Sequence, residues 1–140
     1  MVRNKELKKK SQLLHCTTRY KTTAGGGRTK VNLLAYNLGD NHVVFIYNEN
    51  AHIGAVSIGE YDDKEERVST SVVTRLGHKD DAVAQKAAAL LTKSTKQASC
   101  VIAGIHVDNI TKVEIDQILE NCNHLMNEFV SLLGTCSKGD

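Results

Sequence analysis

Residues 98–107 read Ala-Ser-Cys-Val-Ile-Ala-Gly-Ile-His-Val, and after Asp-Asn-Ile at 108–110, residues 111–133 read Thr-Lys-Val-Glu-Ile-Asp-Gln-Ile-Leu-Glu-Asn-Cys-Asn-His-Leu-Met-Asn-Glu-Phe-Val-Ser-Leu-Leu. The first block is almost continuously apolar and rich in β-branched residues, the pattern of a strand buried on both faces. The second places Ile115, Ile118, Leu119, Cys122, Leu125, Met126, Phe129, Leu132 and Leu133 on one stripe of 3.6-residue period. Thr111 and Glu114 make a Thr-x-x-Glu capping box, so the helix is expected to start near Lys112. Gly134 stands where a C-cap would close it.

Upstream, Asp80 and Asp81 precede residues 82–93, which are rich in strong helix formers and carry Val83, Ala87, Leu90 and Leu91 on one face. Such an Ala-rich face suits close packing on a sheet. Five short segments come before it, at 11–23, 29–38, 42–47, 53–58 and 68–75. They are separated by Gly25-Gly26-Gly27, by polar turns at 39–41 and 48–50, and by a charged loop at 61–67. Consecutive strands with short turns predict antiparallel pairing. The order is five strands, helix, strand, helix. Two helices with apolar stripes must cover one sheet, so the expected fold is α/β of the α+β kind, a two-layer sandwich with a mostly antiparallel sheet of about six strands. The second sheet face, expected to carry Thr and other small residues, is left free or used for a partner.

A chain of 140 residues is the size of one domain. Residues 1–10, with Arg3, Lys5, Lys8, Lys9 and Lys10 against Glu6, form a basic arm, and 11–140 form the single domain. The arm leaves the rest of the chain slightly acidic, which disfavours a nucleic-acid reader, since such proteins gather positive charge on the folded surface. Cys16, Cys100, Cys122 and Cys136 are scattered without a Cys-x-x-Cys pair, and Cys100 and Cys122 sit in apolar patterns as small core residues. No apolar run approaches the ~18 residues of a membrane span. A reducing cytoplasm is the expected compartment.

Chemistry-bearing residues gather where strands end, in the segments 48–55, 76–81 and 103–110 and in the Gly triplet. His52, His78 and His106, with Asp81 and Asp108, have the composition of a His/carboxylate metal site, but no two of the histidines share a local ligand spacing. The plainer expectation is no metal, with Asp81 and Asp108 capping helix starts and the histidines bonding to loop backbone. No nucleophile motif appears, and Ser57, Ser69 and Ser71 read as surface strand positions. The Ala24–Thr29 loop, with Arg28, matches no phosphate-binding pattern and is expected to be a mobile hairpin tip. Gly54 and Gly104 lie inside strand-like runs, where glycine marks either close backbone approach or tight helix packing.

Taken together, His52-Ile53-Gly54-Ala55, Gly77-His78-Lys79-Asp80-Asp81 and the segment from Ala103 to Ile110 resemble the prenylated-flavin chaperone-like domain family. That family includes the small accessory subunit of hydroxyarylic acid (gallate-type) decarboxylases and is similar to eukaryotic proteasome assembly chaperone 4. The resemblance runs from about Ser11 to Leu133; the basic arm and the Gly triplet depart from it. It implies an antiparallel sheet backed by helices, a homodimer, and a non-catalytic role in the assembly or cofactor maturation of a larger enzyme. Prenylated flavin mononucleotide would be at most a transient ligand, and a ligand or partner would be received by His52, Gly54, His78, Gly104, His106, Asp108 and Asn109. The competing readings are a proteasome-assembly-chaperone-like protein, a small enzyme using the His/Asp cluster, and a purely structural subunit.

Overall fold

The structure, a computed structural model, describes residues 19–137. The basic arm at 1–10, Cys16 and the start of the strand expected at 11–23 lie outside the described residues. Six strands and two helices follow: β1 (Tyr20–Ala24), β2 (Val31–Leu38), β3 (Asn41–Tyr47), β4 (Ala55–Asp62), β5 (Arg67–Thr74), α1 (Asp81–Thr95), β6 (Ser99–Gly104) and α2 (Lys112–Ser137). The order across the sheet is β1-β2-β3-β6-β4-β5. β3 and β6 pair in parallel and every other pair is antiparallel. The α+β sandwich read from the sequence is the fold.

Local chemistry sets the element boundaries. Thr111 Oγ1 accepts from the Glu114 backbone N–H at 3.2 Å, and Glu114 Oε1 accepts from Thr111 N–H at 3.2 Å, so the capping box starts α2 at Lys112. At the other end α2 does not stop at Gly134 but continues to Ser137. The propensity cost of one mid-helix glycine is only about 1 kcal/mol and does not end an already long helix. α1 ends at Lys96, which takes the left-handed conformation (φ 55°) and returns its N–H to the Thr92 carbonyl at 2.8 Å.

α1 lies over β4, β5 and β6, and α2 over β1 and β2. The core between the layers holds Val31, Leu33, Val44, Ile46, Val101 and Ala103 from the sheet, with Ala84, Ala88, Leu91, Leu125 and Phe129 from the helices. α1 uses alanines against the sheet because small side chains let the helix axis approach. Tyr20 stacks on Phe129 with ring centroids 5.4 Å apart, tying the edge strand β1 to α2. Ser57, expected at the surface, is fully buried under the helix layer, because β4 turns its odd-numbered residues inward.

The opposite sheet face departs from expectation. Register carries one row across all six strands: Lys21, Leu34, Phe45, Ile102, Val56 and Val73. A second row runs Tyr36, Val43, Cys100, Ile58 and Ser71. This face is large and apolar rather than small and Thr-rich, and no described helix covers it. Ile58 is 49% and Val73 71% exposed. It follows that β6 is not buried on both faces. Val101 and Ala103 are buried beneath the helices, while Cys100 and Ile102 belong to the uncovered face. An all-apolar run produced the same pattern that a doubly covered strand would.

Candidate functional site

The polar residues gather at one rim of the sheet. β6 runs parallel to β3 and antiparallel to β4, so the ends of β3 and β6 meet the start of β4, the end of β5 and the starts of both helices. The loops at 48–54, 75–80 and 105–111 are thereby neighbours, although they are far apart in sequence.

Asn48, at the end of β3 and only 4% exposed, organises this rim. Its Nδ2 donates to the His106 carbonyl at 2.8 Å, and its Oδ1 accepts from His106 N–H at 3.2 Å and Asn50 N–H at 3.1 Å. Asn50 Nδ2 donates to the same His106 carbonyl at 2.9 Å. His52 Nδ1 lies 2.8 Å from the Asn50 carbonyl, which can only accept, so that nitrogen carries the proton. His52 Nε2 then faces His78 Nδ1 at 3.1 Å, with the ring centroids 4.8 Å apart. Asp80, 7% exposed, completes the group: its Oδ2 lies 3.5 Å from His52 Nε2 and 4.0 Å from His78 Nδ1.

Asp80 occupies the N-cap position of α1, yet its side chain makes no cap bond there. Its Oδ1 instead accepts from the Ile105 N–H at 3.1 Å, tying the helix start to the chain leaving β6. Two glycines make the room. A Cβ on Gly54 would lie 2.7 Å from Asp80 Cγ, and one on Gly104 would lie 2.6 Å from the His52 carbonyl carbon. Gly104 therefore marks close approach of a loop backbone, and Gly54 close packing against the Asp80 side chain at the start of α1 and the β6 backbone.

His106 and Asp108 form a second pair further along the rim, Nε2 to Oδ1 at 2.8 Å, with side chains 59% and 84% exposed. Asn109 follows in the left-handed conformation (φ 51°) and is also exposed. The Asp108 carbonyl accepts from Arg28 Nη2 at 2.6 Å, and Arg28 Nε donates to Glu114 Oε2 at 2.7 Å. This pairing with Arg28 holds the Glu114 carboxyl far below the usual range, at about 2. Arg28 is thus engaged, and Asn121 Nδ2 donates to the Thr29 carbonyl at 2.9 Å. The glycine turn is therefore latched to α2 on both sides rather than being a loose tip.

Of the expected site residues, His52, Gly54 and His78 surround one buried carboxylate and Gly104 packs under the His52 backbone, while His106, Asp108 and Asn109 are exposed further along the rim. The helix caps expected of Asp81 and Asp108 are absent. Asp81 is an exposed first residue of α1, and the Asp108 carboxylate bonds to His106. Sequence reasoning weighed Asp81 as the acidic partner, but the structure brings in Asp80. The signal was the spacing His78-x-Asp80, the same as His106-x-Asp108. Asn48 carried no signal beyond its place at a strand end. A surface hollow of about 1020 Å³ lies at the opposite rim among Glu60, Asp62, Lys64, Arg67 and Lys96, at the other end of the strands from His52, His78 and His106.

The fold and rim together define a small α+β domain with a polar rim and an uncovered apolar sheet face. A family model for the prenylated flavin chaperone LpdD-like domain matches residues 25–134, and the chain belongs to that family. No curated protein sequence matches the chain. A solved structure described as a novel chaperone complex for yeast 20S proteasome assembly has the same fold, with a TM-score of 0.57 at 11% identity. The alignment covers 86% of this chain and 98% of that one.

Proposed function

We propose that this protein is a non-catalytic assembly or cofactor-maturation chaperone, an accessory subunit for a larger enzyme of the prenylated-flavin decarboxylase type. It acts in the cytoplasm as a homodimer, with the flavin as no more than a transient passenger. The observation that carries the reading is membership of the chaperone family combined with an apolar sheet face that this chain's described helices leave uncovered. Six strands span about 24 Å, and five to eight residues extend roughly 17–26 Å along them. That footprint of several hundred Å² is at the upper end of what a monomer leaves in water. It approaches the roughly 800 Å² per partner of a stable interface.

A second copy is the occupant that fits. The centre of the face, Leu34, Phe45, Val56 and Ile102, is uncharged, and Lys21 and Glu60 lie toward its margins. An isologous two-fold contact then buries the apolar row against itself. The rim of His52, His78, His106, Asp108 and Asn109 is left to meet the client enzyme. An enzymatic role for His106 and Asp108 has less behind it, because a pair that exposed keeps ordinary solvent around both groups.

Two measurements test this. Native mass spectrometry of the full chain is expected to give twice the 15.3 kDa mass, and Ile58→Asp/Val73→Asp is expected to give a folded monomer. Co-expression with a prenylated-flavin decarboxylase is expected to raise that enzyme's activity, and His106→Ala/Asp108→Ala is expected to fold yet lose the effect. A monomeric wild type refutes the interface. A double rim variant that supports the client as well as wild type refutes the role of the rim.

A further inference from the structure

We infer that His52, His78 and Asp80 bind one divalent transition-metal ion of the zinc type, with a fourth coordination position open to solvent. The inference concerns a site that the chaperone reading does not require, and it stands or falls separately from it.

The donor geometry comes first. His52 Nε2, His78 Nδ1 and Asp80 Oδ2 are separated by 3.1, 3.5 and 4.0 Å. These three atoms form the one group of three or more metal-type donors within 4.8 Å of one another among the described residues. Ligands at zinc bond lengths of about 2.0–2.2 Å and tetrahedral angles lie about 3.3–3.6 Å apart. The observed triangle brackets that spacing, so an ion can reach all three atoms after shifts of a few tenths of an ångström.

The protonation pattern comes second. His52 Nδ1–H is committed to the Asn50 carbonyl, which turns the Nε2 lone pair inward. Asp80 Oδ1 is committed to Ile105 N–H, which leaves Oδ2 as the inward oxygen. The outer atoms of His52 and Asp80 are thus held by backbone, the arrangement that fixes tautomer and orientation in metal centres. Within the triangle the fit is poorer. His78 Nδ1–H can donate to the His52 Nε2 lone pair at 3.1 Å, but Oδ2 is 3.5 and 4.0 Å from the two nitrogens, longer than the roughly 2.7–2.9 Å of a charge-assisted hydrogen bond. A cation at the centre satisfies all three donors at once.

Access comes third. The Asp80 side chain is 9% exposed at the base, and the His52 and His78 side chains are 22% and 30% exposed above it. An ion can therefore enter from solvent and keep a water, or a ligand from another molecule, at the fourth position. Gly54 leaves the space that the carboxylate occupies. Two histidines and one carboxylate with one open position form a set suited to zinc and its neighbours. Bound there, the ion ties the connection between β5 and α1 to the start of β4.

The test uses untagged full-length protein stripped with a chelator and titrated calorimetrically with Zn²⁺ alone near pH 7.5, with Co²⁺ as the spectroscopic probe. Expected are one equivalent bound, a tetrahedral Co²⁺ absorption spectrum and a higher melting temperature with Zn²⁺. His52→Ala, His78→Ala and Asp80→Asn are each expected to weaken binding by at least about tenfold. His106→Ala and Cys16→Ser are expected to leave it unchanged. His78 lies in an exposed connection, so His78→Ala decides the matter even if Asp80→Asn misfolds. Absence of binding, or affinity retained in His78→Ala, overturns the site; a six-coordinate Co²⁺ spectrum overturns its tetrahedral assignment.

Discussion

Replacing Gly54 with alanine tests the packing on which the rim depends. The new Cβ would sit 2.7 Å from Asp80 Cγ and 2.9 Å from the Ala103 carbonyl oxygen, both closer than real side chains approach. Overpacking of this kind costs about 1–3 kcal/mol. The carboxylate is the softer neighbour, and if it swings away its bond from Ile105 N–H is lost. A hydrogen bond to a charged group contributes about 1.5–3 kcal/mol. The two effects add to roughly 2.5–6 kcal/mol, and at about 3 °C per kcal/mol for a domain of this size the melting temperature falls by about 8–18 °C. Differential scanning calorimetry of Gly54→Ala measures this directly. Asp80→Ala removes the group with which the new methyl collides, so Gly54→Ala/Asp80→Ala is expected to lose less than the sum of the single changes, by about 1–3 kcal/mol. A Gly54→Ala melting temperature within about 2 °C of wild type, or strictly additive losses, refutes the reasoning.

Three further outcomes follow from other groups. The Glu114 carboxyl is held at about 2 by Arg28, so the stabilisation from this pair is present above about pH 4.5 and is lost as pH falls toward 2. The melting-temperature gap between wild type and Arg28→Ala should therefore close over that window, and a gap unchanged at pH 2 refutes the assignment. Burial lowers the His42 pKa; its ring bonds to Asn37 Oδ1 at 2.9 Å and meets Phe129 edge-on. The neutral ring thus contributes stability above its unfolded value of about 6.5 that is lost at lower pH, and His42→Gln should show a shallower loss between pH 7 and 5; parallel curves would contradict this. Burial pushes the Cys122 thiol up to about 12, so peptide-mapped alkylation at pH 8 should be far slower in the native protein than in urea, and equal rates would refute it.

The sequence made the fold legible where periodicity was strong. The stripe from Ile115 to Leu133 and the Thr111–Glu114 box placed α2, and the change of period after Arg75 placed α1 and β6. What it hid was which face each strand residue took. Cys100-Val101-Ile102-Ala103 is apolar at every position, so alternation could not separate the residues under the helices from those on the uncovered face. For the same reason Leu34, Phe45 and Val56 gave no sign that they would align into one row. Site residues were legible by type but not by grouping. His52 and His78 are 26 positions apart, and only the insertion of β6 between β3 and β4 brings their loops together. Asp80 and Asp81 differ on paper only in that Asp80 stands two positions after His78, and the turn at the N-cap sets the Asp80 carboxylate inward.

The same insertion links the two surfaces that the proposed function needs. Placing β6 between β3 and β4 puts Ile102 between Phe45 and Val56, which makes the apolar row continuous. It also brings the end of β6 against the start of β4, which lays Gly104 under His52 and Asp80 under Ile105. One topological choice therefore builds both the face and the rim. The two need not compete for a partner. His52 and His78 gather with Asp80 at the start of α1, beyond the end of β6, whereas the row from Leu34 to Val73 runs across the strands themselves. An edge-to-edge dimer through β1 or β5 would leave Phe45 and Ile102 in water and waste the apolar row. A face-to-face dimer buries that row and still leaves two rims facing outward, one for each copy, available to a client.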